Sequence, residues 1–208
     1  MEVGVLYSGG KDSTLAALFL SPFCDLTLLC CTFGITRDYE HAREAAAAIG
    51  LPHRRVDLDP EIARAAADRI VADGFPRNGI QRVHEHALEV AAGLGYDAVA
   101  DGTRRDDRVP AVDRPLAQSL EDRHGVAHLA PLAGVGRAAV DALADEQLVV
   151  ETGRSEALSK GDYEAELRAL VADSHGPDTV ADVFPEHTQS RVVGRKQGDH
   201  PPRTSDSG

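Results

Sequence analysis

The chain has 208 residues, 42% of them apolar, which suits one domain with a sizeable core and at most a small appendix. No apolar run approaches membrane-spanning length and no basic-then-apolar leader opens the chain, so a cytoplasmic protein without a membrane partner is expected. Acidic residues number 34 against 22 basic ones, a net charge of −12, with lysine only at positions 11, 160 and 196; this predicts a high-salt cytoplasm and argues against broad nucleic-acid binding, though not against a local patch reading one RNA.

The first strong stretch lies near the start. Val3–Tyr7 is a short apolar run, Ser8-Gly9-Gly10-Lys11-Asp12-Ser13 is a turn, and Thr14–Leu20 has a helical apolar pattern. Gly9 and Gly10 allow close approach of a ligand to the backbone. The first-turn N–H groups and the helix dipole favour an anion there. Lys11 adds a point charge suited to phosphate, and Asp12 beside a phosphate reads as a Mg²⁺ ligand. The plain alternative is a glycine turn with Ser8 as the helix N-cap.

Leu26–Phe33 is a near-continuous apolar run, the pattern of a strand buried on both faces. Adjacent Cys30 and Cys31 then point to opposite faces, and with Cys24 they show no metal spacing, so buried reduced thiols are expected. Asp38–Ile49 is helical and closes at Gly50; Arg54–Leu58 is a third strand; Pro60 opens a helix that stops at Gly74. Ile80–Ala92 is the next helix. His84 and His86 on it are two apart, face different sides, and are expected in surface or capping roles.

Tyr96–Ala100 is a fourth strand ending in Asp101-Gly102-Thr103-Arg104-Arg105-Asp106-Asp107-Arg108. Carboxylates at a strand's C-terminal end can hold Mg²⁺ against phosphates, and arginines there can steady a leaving pyrophosphate or an anionic substrate. Alone, the stretch reads equally well as a solvated loop held by internal ion pairs. Arg114–Arg123 is a helix, Val126–Leu129 a fifth strand, and Gly136–Glu146 the last core helix. This alternation predicts an α/β fold, a doubly wound parallel five-stranded sheet of Rossmann type with a small C-terminal extension. Ligands of such sheets bind beyond the C-terminal strand ends, where both charged loops fall.

Residues 1–147 are expected to form the nucleotide-binding domain and 148–194 an extension contributing substrate contacts or an interface. Leu148–Glu151 reads as a strand, and Tyr163 starts an amphipathic helix as its packing aromatic. His187 either lines a substrate pocket or belongs to an ordered structural segment. From Arg195 on, composition predicts disorder.

The Ser8–Ser13 hexapeptide is not a Walker loop. It resembles the Ser-Gly-Gly-x-Asp-Ser signature of the PP-loop ATP pyrophosphatases, whose fold is the adenine nucleotide alpha hydrolase type. Gly102, Asp106 and Asp107 resemble that superfamily's second motif, a Gly, a short polar run and Asp-Asp; Ala130-Pro131-Leu132 and Pro76-Arg77-Asn78 resemble shorter family turns. The phrases around 101–110, 118–123, 160–168 and 187–192 are similar to a small archaeal group of stand-alone PP-loop ATPases linked to tRNA modification or asparagine-synthase-like activity.

The resemblance implies ATP and Mg²⁺ as cofactors. It implies nucleotide contacts from Ser8, Gly9, Gly10, Lys11, Ser13, Gly102 and Arg105, and from Cys31, Thr32 and Phe33 near the adenine. Metal contacts fall to Asp12, Asp106 and Asp107, and Lys11, Asp12 and Asp107 act in catalysis. The implied reaction transfers AMP to a substrate oxygen with loss of pyrophosphate, on a tRNA base or related heterocycle. A small carboxylate substrate of an amide or C–N ligase, and a non-catalytic ATP-binding regulator, remain alternatives. No Cys-x-x-Cys is present, so a sulfur or ammonia donor would come from a partner protein. A homodimer is plausible, since small members of the superfamily often complete their sites that way.

Overall fold

The computed structural model describes residues 1–155, 158 and 161–196. Strands β1 (Glu2–Leu6), β2 (Asp25–Thr32), β3 (His53–Asp57), β4 (Ala98–Ala100) and β5 (Ala127–Leu129) form one parallel sheet of order β3-β2-β1-β4-β5. This is the doubly wound architecture expected from the alternating pattern. The order reverses between β1 and β4, so the loops leaving these two strands flank the switch-point crevice.

Helices cover both faces. On one side α1 (Lys11–Leu20), α2 (Tyr39–Ile49) and α6 (Arg137–Gln147) pack on Val3, Val5, Leu28 and Cys30. On the other, α4 (Arg77–Ala92) and α5 (Arg114–His124) pack on Leu6, Leu29, Cys31 and Val99. Consecutive β2 residues are buried on opposite faces, which is why its sequence reads as an unbroken apolar run. Cys30 and Cys31 do point to opposite faces, both buried.

Helix α3 (Pro60–Asp73) starts at Asp59, whose side chain accepts from Glu61 N at 2.9 Å, with Pro60 in its first turn. Both α2 and α3 end at left-handed glycines, Gly50 and Gly74.

The chain beyond α6 packs onto the same body. Strand β6 (Leu148–Arg154) pairs antiparallel with β7 (Thr188–Arg195), and Leu148 and Val192 sit in the core beneath α1. Helices α7 (Tyr163–His175) and α8 (Pro177–Val183) close over α3 and α4 through Leu167, Val171, Val183 and Phe184. The short α8 and the strand β7 carry no strong periodicity and were not expected from sequence. Of the expected tail, Arg195 ends β7 and Lys196 N donates to Gln147 O at 2.8 Å; residues 197–208 lie outside the described residues.

Phe184 is 2% exposed, and the Arg168 guanidinium lies 4.6 Å from its ring centroid. Phe184→Ala should lower stability by about 3–5 kcal/mol, the usual cost of truncating a buried aromatic. Urea denaturation would check this; a loss under about 1 kcal/mol would mean that α7 and α8 are not held by this cluster.

Candidate functional site

A cavity of about 910 Å³ opens at the switch point; volumes of roughly 300–1,000 Å³ are usual for small-molecule sites. Its centre is built by the turn after β1. Gly9 takes a left-handed conformation (φ 77°) and Gly10 is the N-cap of α1 with no side-chain cap hydrogen bond. Ser8 is therefore not the helix cap. Its Oγ instead accepts from Gly10 N at 3.3 Å. The first turn of α1, Lys11 to Ser13, lines the cavity, and a helix N-terminus is a place suited to anions.

Lys11 Nζ lies 3.2 Å from Asp12 Oδ1 and 3.5 Å from Asp141 Oδ1. Asp12 Oδ1 is buried and has no hydrogen bond among the described residues. A desolvated carboxylate oxygen is costly unless a cation meets it, and here the Lys11 ammonium does so.

The loop after β4 forms the second wall. Asp101 is 1% exposed; its Oδ1 accepts from Thr103 N at 2.7 Å and its Oδ2 bonds His128 Nε2 at 2.9 Å. Burial works to raise its pKa, but the His128 hydrogen bond, His84 and the Thr103 N–H outweigh it and hold the carboxyl far below the usual range. Gly102 follows, and a Cβ there would stand 2.8 Å from both Ser13 N and Ser13 Cα. Only glycine lets this loop touch the first turn of α1.

Arg104, its side chain 7% exposed, fixes Asp107: its backbone N donates to Asp107 Oδ2 at 2.8 Å and its Nε to Oδ1 at 3.1 Å. Its Nη1 reaches to 3.6 Å from Asp12 Oδ2. Burial disfavours the charged guanidinium, but Asp107, Asp12 and Asp106 raise its pKa above the ordinary value.

The structure thus brings Ser8, Lys11, Asp12, Ser13, Gly102, Arg104 and Asp107 to one cavity. Gly9 and Gly10 shape the turn without lining the cavity, and four further sequence-derived candidates lie elsewhere. Asp106 accepts from Arg137 N at 2.9 Å, at the start of α6. Arg105 packs its guanidinium against Gly136, while its neighbour Arg104 takes the place at the cavity. Thr32 and Phe33 turn to Glu166 of α7: its carboxylate accepts from Thr32 Oγ1 at 2.8 Å, Phe33 N at 3.0 Å and Ile35 N at 3.0 Å.

The three acidic candidates therefore do not converge. Among the described residues no group of three or more His, Cys, Asp or Glu side chains is placed to hold a metal ion. What remains is Asp12, whose Oδ1 makes no hydrogen bond among the described residues and meets only the Lys11 ammonium, at 3.2 Å. That fits a cation drawing its other ligands from phosphate oxygens, as Mg²⁺ commonly does.

One wall was not foreseen and a second only in part, through His187 and the 148–194 extension. His84, expected at the surface or as a cap, is 5% exposed and lines the cavity; only His86 has a capping role, Asp59 N donating to its Nε2 at 3.4 Å. The two-stranded sheet of β6 and β7 brings Thr152, Thr188, Gln189 and Ser190 to the other side, and His187 with them. Lys11 N donates to Ser190 Oγ at 3.4 Å, while Gly161 N and Val192 N donate to Ser8 O and Gly9 O at 3.0 and 2.8 Å. The polar run 187–190 was the only sequence signal of this wall. Burial pushes the Cys31 thiol far above its usual range, so it stays protonated and is a poor sulfur nucleophile.

The model of a family of unknown function, DUF7411, matches residues 1–194. The uncharacterized protein MJ0690 of Methanocaldococcus jannaschii is 40% identical over 199 residues, which span 95% of this chain and 98% of that protein. A crystal structure described as a predicted subunit of tRNA methyltransferase, also from Methanocaldococcus jannaschii, superposes with a TM-score of 0.86 at 39% identity, covering 95% of this chain and 98% of the other.

The Asp101 linkage has a definite sign. Its folded pKa lies below the unfolded value of about 3.9, so near pH 4 the unfolded chain binds more protons. The stabilisation is complete above about pH 5 and is lost as pH falls further. Asp101→Asn should lower stability at pH 7 and flatten this acid limb, measured by urea melts from pH 7 to 3; an unchanged slope would remove Asp101 as its source.

Proposed function

From a chain that belongs to the DUF7411 family, and from the site built by its two switch-point loops, we propose an ATP-dependent, AMP-forming enzyme of the PP-loop type. The carrying observation is that the α1 N-terminus, Lys11 and Asp12, whose Oδ1 makes no hydrogen bond and has only the Lys11 ammonium beside it, stand in one cavity. An anion cradle beside a cation ligand is the pairing that a metal-bound polyphosphate needs.

In this reading the first-turn N–H groups, Ser8, Ser13 and Lys11 hold the phosphates. Asp12 holds Mg²⁺, which when bound neutralises charge on the phosphate oxygens. Arg104 keeps Asp107 in place and stands ready for charge on the departing pyrophosphate. A substrate oxygen attacks the α-phosphorus, the bond to the bridging oxygen breaks, and pyrophosphate leaves. A nucleophile then displaces AMP from the activated carbon. Catalysis consists of positioning and charge neutralisation.

The acceptor is proposed to be a tRNA base. The support is the description of the similar crystal structure as a predicted subunit of tRNA methyltransferase, together with a cavity walled on one side by apolar and aromatic groups. The nucleophile, or the protein that delivers it, is supplied from outside, since Cys31 is protonated.

Lys11→Ala and Asp12→Asn should each reduce pyrophosphate release, measured with ATP, Mg²⁺ and unmodified tRNA, by at least about a hundredfold while leaving thermal unfolding unchanged. Retained turnover in both variants would sink the site assignment. Nucleoside mass analysis of tRNA from a strain lacking the gene should show the loss of a modified base; an unchanged profile, with pyrophosphate release intact on small carboxylates, would replace the RNA substrate by a small-molecule one.

A further inference from the structure

One titratable cluster on the cavity wall has no part in holding phosphate. His187 stands just before β7, its side chain 40% exposed, and lines the cavity together with Glu164 of α7. Its Nδ1 lies 3.2 Å from Pro185 O. A carbonyl oxygen only accepts, so this contact puts the proton of the neutral ring on Nδ1 and leaves the lone pair on Nε2. Nε2 in turn stands 3.6 Å from Glu164 Oε2. A carboxylate at that distance is placed to meet the charge of a proton arriving at Nε2.

One guanidinium fixes both partners. Arg168 Nε donates to Glu164 Oε1 at 2.8 Å, and its Nη2 donates to Pro185 O at 3.5 Å. The same group rests on the ring of buried Phe184, 4.6 Å from its centroid. The His187 backbone is held as well, Ser155 N donating to His187 O at 2.9 Å. The neighbouring charges Arg154 and Glu186 pair with each other. Asp162, also on the cavity wall, caps α7 by accepting from Ala165 N at 3.2 Å.

The place of His187 relative to the phosphate cradle follows from β7. Ser190 Oγ accepts from Lys11 N at 3.4 Å, so Ser190 marks the cradle. His187 is three residues back along an extended chain, roughly 10 Å away at the rise of a strand. It therefore faces what the phosphate is transferred to, not the phosphate.

Transfer of AMP to a base carbonyl has a proton to dispose of. In a lactam, where the ring C=O adjoins a ring N–H, the oxygen forms the new bond to the α-phosphorus. The bond to the bridging oxygen breaks, and pyrophosphate departs with its electron pair. The ring N–H must give up its proton for the adenylated ring to be neutral. Resting on the ATP reading above, we propose that His187 is the general base of this step: Nε2 takes the ring N–H proton as the lactam oxygen attacks. The acceptor is accordingly a base with a lactam edge. Glu164 and Arg168 are positioning residues. The exposure of the imidazole lets the proton pass on to water between turnovers.

Two measurements on the full chain test this. In the ligand-free protein at about pH 8, proton–nitrogen correlation NMR of the imidazole, assigned by its loss in His187→Asn, should show the Nδ1–H tautomer. The Nε2–H tautomer would overturn the assignment. With ATP, Mg²⁺ and unmodified tRNA, His187→Asn, whose amide can still donate to Pro185 O, should lose at least about a hundredfold in kcat for pyrophosphate release, with the KM for ATP unchanged. The wild-type rate should fall as pH drops from about 8 to 5, where histidine takes up its second proton, and the variant should lack that limb. Added imidazole should restore part of the rate to His187→Ala. Retained turnover, or the same acid limb in His187→Asn, overturns the inference and leaves the ATP reading standing. Wild-type turnover on small carboxylates alone does so too, since a carboxylate has no proton to surrender. A wild type that releases no pyrophosphate with either acceptor defeats both. If neither variant folds, the wild-type tautomer decides.

Discussion

The approach of Gly102 to the first turn of α1 is the constraint on which the site depends. β1 and β4 are neighbours at the point where the sheet changes direction, so their exit loops must share one small space. A Cβ at Gly102 would stand 2.8 Å from Ser13 N and Cα and 2.9 Å from the Asp12 carbonyl carbon. These are backbone atoms, and they cannot rotate away. The contact therefore fixes how far the Asp101–Asp107 loop stands from Lys11 and Asp12. Asp101 enforces the same geometry from below by capping Thr103 N while tied to His128 of β5.

The C-terminal chain completes what the sheet leaves open. An uncapped helix N-terminus and a glycine turn are soft elements, with few side chains of their own to hold them. Here Gly161 and Val192 donate to the turn's carbonyls, and Ser190 meets Lys11 N. The two-stranded sheet is in turn fixed by Leu148 and Val192 in the core. Stability of the turn is thereby borrowed from packing far along the chain. Glu166 does the same for the end of β2, replacing with one carboxylate the three acceptors that an exposed strand end would find in water.

This explains what was legible in the sequence. The sheet was readable because its signals are local: apolar runs of strand length, helices punctuated by Gly50, Pro60 and Gly74, and a Gly-Gly turn between a strand and a helix. The cavity centre was readable for the same reason, since Ser8–Ser13 is contiguous. Partners across the chain were not. Nothing near Asp106 announces that it will meet Arg137 N instead of the cavity, 31 residues away in sequence. Nothing near Glu166 announces Phe33. For His84 the spacing argument was sound in turning it away from His86. It did not tell which side would be buried, because that depends on α7 closing over α4.

The electrostatics of the cavity decide how an anion can enter so acidic a chain. Lys11, Arg104 and Arg137 line it, against Asp12, Asp101, Asp107, Asp141, Asp145, Asp162 and Glu164. Two of the cations are already committed, Arg104 to Asp107 and Lys11 between Asp12 and Asp141. A bare polyphosphate would meet net repulsion from this wall at a few ångströms, where screening by salt is weakest. The helix dipole alone contributes about 0.3–1 kcal/mol and cannot offset it. A divalent cation taking the place of Lys11 at Asp12 would reverse the local sign, and phosphates would then face charge that attracts them. On the proposed reading, the acidic wall, which at first argues against a nucleotide site, would make nucleotide binding conditional on a metal ion and would disfavour phosphate anions that arrive without one.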